Sequence, residues 1–263
     1  MKNLNILFPT DFSGLSQETL KTILPIIKQG KNNLIILHAA IRKEKDDTAD
    51  RIRVKEEMDE FLLSVPSLVS VNYETRWEYG TSRDLILCES DKVEIDLIIM
   101  ATKGAKGLNI IWGSKTEAVV RDAIVPVIVM PLGAQLNHIK SIALAADYES
   151  LQYDHALDAL LQIADRETTS IDVVTVNRRE DQLSRKEKIN RKYLKRRLQH
   201  FPHRFKHHFE DEVSNGLIHY AKNHQSDLIA ILPKDYRFLE GLFTEGLSRR
   251  MVYKSEVPLL ILK

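Results

Sequence analysis

Asn5-Ile6-Leu7-Phe8-Pro9-Thr10-Asp11 and Ser141-Ile142-Ala143-Leu144-Ala145-Ala146-Asp147 are two short apolar runs, each ending on an aspartate. Two further pairs keep nearly the same separation along the chain. Asp96-Leu97-Ile98-Ile99-Met100 matches Asp227-Leu228-Ile229-Ala230-Ile231, and Val125-Pro126-Val127-Ile128-Val129-Met130 matches Val257-Pro258-Leu259-Leu260-Ile261-Leu262. A nearly constant register across three motifs is the signature of a tandem duplication. The sequence therefore divides into one domain over 1–132 and a second over 140–263, joined by the short stretch Leu132 to Lys140.

Between these landmarks, strand-like and helix-like runs alternate. In the first half, strands are expected at Asn5 to Phe8, Leu34 to Leu37, Val69 to Trp77, which alternates, Asp96 to Met100 and Val127 to Met130. The stripe Leu20, Ile23, Leu24 and Ile27 predicts a helix capped by Ser13 or Ser16. A solvated helix is expected around Lys55-Glu56-Glu57, and two more follow Gly80-Thr81-Ser82 and Ser114. The second half repeats the order, with strands at Ile142 to Ala145, Ile171 to Val176, His207 to Phe209, Leu228 to Leu232 and Leu259 to Leu262. Its helices are expected near Tyr153 to Ala164, Asn215 to Asn223 and Leu247 to Tyr253. Uninterrupted apolar runs alternating with helices indicate α/β domains, each a five-stranded, mainly parallel, Rossmann-like sheet flanked by helices.

Composition narrows the class. The chain has 263 residues, 43% hydrophobic and 29% charged, with a formal net charge of +1, so no global field draws it to nucleic acid or membrane. Lys2-Asn3 leads directly into a strand, so no leader is expected, and no run is long enough for a membrane helix. The single cysteine, Cys88, excludes an intrachain disulfide and fits a reducing, cytoplasmic location. Beside Leu85 and Leu87 it reads as a core residue.

Ligands of open parallel sheets bind beyond the carboxyl ends of the strands, which directs attention to the stretch from Met100 to Ser114. Gly104 and Gly107 permit close backbone approach, Gly113-Ser114 opens a helix suited to an anion, and Lys103, Lys106 and Lys115 add positive charge. Neither a Walker A motif nor the dinucleotide fingerprint is present. A simple chain-turning role for the glycines stands beside the binding one.

Together, Phe8-Pro9-Thr10-Asp11-Phe12-Ser13, Leu37-His38-Ala39, Asp96 to Met100, Gly113-Ser114-Lys115-Thr116-Glu117 and Val125-Pro126-Val127 resemble the universal stress protein family, in both halves. The resemblance implies a stress-response regulatory module that binds ATP, with or without Mg²⁺, in the first half. It implies a site formed by Pro9, Asp11, Ala39, Met100, Ala101, Lys103, Gly104, Gly113, Ser114, Lys115 and Thr116. Asp11 would bond the ribose or adenine edge, Ala39 would offer backbone contacts to adenine, and Gly104, Gly113, Ser114 and Lys115 would hold phosphates. Asp11 is also placed to cap the following helix. The family's ATP loop has the pattern G-x2-G-x9-G-[S/T]; here Ala101 stands for the first glycine, and eight residues rather than nine separate Gly104 from Gly113. In the second half Asp235 and Glu245 replace Gly104 and Gly113, and carboxylates there repel phosphate, so no nucleotide is expected. The resemblance also implies that the last strands of the two halves pair as an internal pseudo-dimer; whether the chain also forms a homodimer stays open.

Other features have plainer readings. The basic segment Arg185 to His208 reads as a solvated helix, with phosphate-backbone binding as the alternative. His203, His207 and His208 lack partners at metal-site spacing, and His38 reads as a core or edge histidine. No catalytic set is recognisable, so no turnover is expected beyond slow hydrolysis of bound nucleotide. The alternative to the nucleotide-binding module is a scaffold of the same fold that binds protein partners, an unnamed class in either case.

Overall fold

A computed structural model describes residues 3–43, 47–92, 94–102, 114–146, 148, 157–165, 167–177, 183–231 and 257–263. They form two compact units, the first within residues 1–137 and the second within 138–263.

In unit 1 the strands are β1 (Asn5–Thr10), β2 (Asn33–Ala40), β3 (Asn72–Tyr79), β4 (Leu97–Ala101) and β5 (Val127–Met130), and the helices are α1 (Gly14–Gln29), α2 (Asp47–Leu63), α3 (Ser82–Ser90) and α4 (Ser114–Asp122). The strand order is β3-β2-β1-β4-β5 and every pairing is parallel. Ile6, Leu7, Phe8, Leu34, Ile36, Leu97, Ile98 and Ile99 are essentially inaccessible. That burial is what a sheet covered on both faces requires of its central strands, and it accounts for their unbroken apolar runs. The α1 stripe meets the sheet as its spacing predicts, with Leu20, Ile23, Leu24 and Ile27 buried.

Unit 2 repeats the design. Its strands are β6 (Ser141–Ala145), β7 (Ser170–Asn177), β8 (His203–Phe209), β9 (Leu228–Ile231) and β10 (Leu259–Ile261); its described helices are α5 (Asp158–Ile163), α6 (Arg185–Arg197) and α7 (Val213–Asn223). The order β8-β7-β6-β9-β10 is the same topology, again all parallel. The duplication extends to single bonds. The Asn5 amide donates to the Asp96 carboxylate at 2.9 Å and the Asp96 amide donates back to the Asn5 carbonyl at 3.0 Å. The Ser141 amide and Asp227 carboxylate do the same at 2.9 Å, with a 2.8 Å return bond. The aspartates that announce β4 and β9 in sequence are thus clamps on the first strand of each unit.

Several expectations change. Val69 to Trp77 is not one strand: Pro66 starts a 3-10 turn over Pro66–Ser70, which leaves Val69 91% exposed, and β3 begins at Asn72. The basic segment read as a helix from Arg185 to His208 is helical only over α6, which a capping box of Ser184 and Glu187 starts, and its last residues from His203 onward belong to β8. β8 is longer than its apolar pattern suggested, because it pairs with β7 from Ile171↔His203 to Asn177↔Phe209. Cys88 is exposed; α3 turns Ile86, Glu89 and Ser90 inward instead, with Glu89 held by Arg76 at 2.7 Å and by Lys92 at 2.5 Å. The helix expected near Leu247 to Tyr253, the start of the one near Tyr153, and Asp235 and Glu245 lie outside the described residues.

Candidate functional site

In unit 1 the strand order reverses between β1 and β4, and the crevice beyond their carboxyl ends is where such sheets take ligands. A cavity of about 320 Å³ lies there. Pro9, Thr10 and Asp11 come to it from the end of β1, Leu37 and Ala39 from β2, Met100, Ala101 and Thr102 from β4. The helix starts close it: Ser13, Leu15 and Ser16 of the α1 turn, Ser82 and Ile86 of α3, and Thr116 of α4. Apolar walls with hydroxyls and one carboxylate make a surface suited to a flat, partly polar ligand.

A backbone strain sets the β1–α1 turn. Phe12 adopts φ 61°, the left-handed region that costs an aromatic residue roughly 1–2 kcal/mol. Its amide donates to Thr10 Oγ1 at 3.0 Å, and its ring stacks on His38 with centroids 3.9 Å apart. The chain then reverses so that Ser13 caps α1, accepting from the Ser16 amide at 3.3 Å. Asp11 sits one step outside the cap. Its Oδ1 accepts from the Ser13 amide at 3.1 Å and from the Ser16 hydroxyl at 2.9 Å. Partial burial pushes this carboxyl up, but the hydrogen bonds from Ser13 and Ser16 outweigh it and hold the group below its ordinary value. Asp11 therefore both braces the helix start and stands ionised in the cavity wall. Tyr148 repeats the left-handed turn in unit 2 with φ 59°.

His38 takes the structural role read for it. Its Nδ1–H donates to the Thr10 carbonyl at 2.9 Å, tying β2 to the end of β1. Burial depresses its pKa against the raising effect of that bond. A shallower depression shares Asp11, Ala39 and Ser82 with the cavity and runs on past Phe12 and His38 to Arg53 and Glu57 of α2.

Of the residues expected to form the site, Pro9, Asp11, Ala39, Met100, Ala101 and Thr116 all line this cavity. Ser114 and Lys115 are the first two residues of α4; Lys103, Gly104 and Gly113 lie outside the described residues. Motif reading passed over Thr10, Ser13, Ser16, Ser82, Ile86 and Thr102. Ser82 had a signal, since it follows Gly80-Thr81 at a helix start facing the same rim.

The family model described as "Universal stress protein family" matches residues 2–131. Through its first half, the chain belongs to the universal stress protein family. A universal stress protein from Archaeoglobus fulgidus DSM 4304 superposes with a TM-score of 0.76 at 16% identity, covering 100% of this chain and 99% of that one. That likeness extends the fold over both units. A single-domain universal stress protein solved in complex with cAMP is 20% identical, with a TM-score of 0.39, over 49% of this chain and 97% of that one. One from Arabidopsis thaliana solved with AMP bound is 16% identical, with a TM-score of 0.36, over 49% of this chain and 91% of that one. No curated protein matches the chain significantly. Among the described residues, no helix is long and apolar enough to cross a membrane.

Proposed function

We propose that unit 1 of this universal stress protein binds an adenine nucleotide, ATP with or without Mg²⁺, and that occupancy regulates a protein partner. The observation that carries this reading is the cavity at the β1–β4 switch point, lined by six of the expected residues and braced by an ionised Asp11. Its volume falls within the range of small-molecule pockets. Leu37, Ala39, Ile86 and Met100 supply apolar contact for a base, and Asp11 bonds to the Ser13 and Ser16 groups through Oδ1, so Oδ2 is available for a ribose hydroxyl. The phosphates would run towards the start of α4. Among the described lining residues Asp11 is the one ionisable group, which fits holding a ligand rather than turning it over.

The scaffold reading has one observation in its favour: the Ala101 methyl stands in the cavity wall where the family's loop has glycine. Calorimetric titration of ATP, ATP with Mg²⁺ and AMP into the full chain separates the two. Saturable binding of one nucleotide per chain is expected, abolished by Ala39→Phe, which fills the cavity. Asp11→Asn should lower affinity roughly ten- to hundredfold, the worth of a charge-assisted hydrogen bond. No heat and no thermal stabilisation at millimolar nucleotide would leave the scaffold.

A further inference from the structure

The two units place opposite charge at the same position of the same fold. α2 carries six acidic and three basic residues in its 17, whereas α6 carries eight basic and one acidic in its 13. The fold requires neither sign there, since both units form. α6 buries little beyond Leu194, and its basic face looks onto a cleft of about 760 Å³ against β8. Lys188, Arg191, Lys192 and Lys195 line one side of it, His203 and Phe205 the other. Arg204, also on the cleft, is already neutralised by the Asp172 carboxylate at 2.8 Å. Among the described residues no carboxylate pairs with Lys188, Lys192 or Lys195.

Rings continue the surface. β8 pairs only with β7 among the described strands, so its other side is an open edge. Alternation along the strand puts His203, Phe205, His207 and Phe209 on one face, about 20 Å from end to end. His203 meets Phe205 edge-on at 5.8 Å, and His207 stacks with Phe209 at 6.3 Å. Arg191 covers the Phe205 ring at 4.7 Å, while Phe209 is 57% exposed. Free lysines beside a row of rings that ends in the exposed His207 and Phe209 satisfy the two requirements of a strand whose phosphates and bases are both unpaired with a second strand.

We propose that the α6–β8 face of unit 2 binds single-stranded nucleic acid, with Lys188, Lys192 and Lys195 on the phosphates and His207 and Phe209 under the bases. Recognition is by backbone and stacking, so DNA and RNA of any sequence are substrates for it. The site shares no residue with the nucleotide cavity of unit 1.

The test is fluorescence anisotropy of labelled oligo-dT and oligo-rU with the full chain, across a salt series. Saturable binding is expected for both. The triple variant Lys188→Glu, Lys192→Glu, Lys195→Glu should abolish it or, with the milder Lys→Gln set, flatten the log–log salt slope by about two. His207→Ala with Phe209→Ala should weaken binding roughly tenfold or more without altering the salt slope. These side chains are surface groups, and an unchanged circular dichroism melt confirms that each variant folds. Undiminished binding by the triple variant, or displacement by ATP, would overturn the assignment. So would ring variants that bind as wild type while inorganic polyphosphate competes fully, because the face would then be a general polyanion surface.

Discussion

Asp11 and Ala101 face the same cavity and pull in opposite directions. The carboxylate is held ionised by Ser13 and Ser16, while the alanine lines the cavity where the family's loop pattern has glycine. Ala101→Gly should therefore tighten ATP binding severalfold in calorimetry, although glycine at a strand end costs roughly 0.5–1 kcal/mol of fold stability. His38 yields a pH prediction. Its folded pKa lies below the ordinary value of 6.5, so near that pH the unfolded chain binds more protons than the folded one. Stability is full above pH 6.5 and declines as pH falls through the depressed folded value. Denaturant midpoints measured across that window should drop on acidification in wild type and drop less in His38→Gln. None of this was legible in the motif Leu37-His38-Ala39, because the stacking partner Phe12 depends on a left-handed turn that an aromatic side chain does not advertise.

At the scale of elements, unit 2 is held by a bond set that joins two strands to a helix. Asp172 of β7 is buried and receives Arg204 of β8 through two nitrogens, at 2.8 and 2.9 Å, and the Tyr220 hydroxyl of α7 at 2.9 Å. Burial and the neighbouring carboxylate both push the tyrosine pKa upward. Arg204→Ala leaves a buried carboxylate with one neutral donor and should cost about 2–3 kcal/mol in urea unfolding, more than Tyr220→Phe at about 1 kcal/mol. Gly216 shows a tighter constraint. An added Cβ would lie 2.5 Å from Val176 Cγ1, so Gly216→Ala should destabilise unit 2 by about 1–3 kcal/mol as α7 is pushed off β7. Periodicity located the apolar strands and α1 well because burial on both faces leaves a plain pattern. It placed a helix at α6 and a strand at β3 but missed their bounds, because one buried leucine among basic residues marks no helix end and the polar sequence of β3 marks no strand start.

For the molecule as a whole, the repeated topology does not bring repeated chemistry. One nucleotide per chain is expected because, in the sequence match between the halves, Asp235 and Glu245 replace Gly104 and Gly113, and changing both to glycine should raise the stoichiometry measured by calorimetry. Duplication was readable from three motif pairs, since buried strands tolerate few residue types. The divergence of surface charge between α2 and α6 was visible as composition, but its meaning required knowing that both helices occupy one topological position. The reciprocal Asn5–Asp96 and Ser141–Asp227 bonds lie at the strand starts, whereas the ligand cavity lies at the strand ends. Unit 1 thus has a locked rim and an editable rim. A saturation mutagenesis library scored separately for abundance and for ligand occupancy should divide along that line, and a lineage that copied this domain could rewrite the second rim many times while leaving the first untouched.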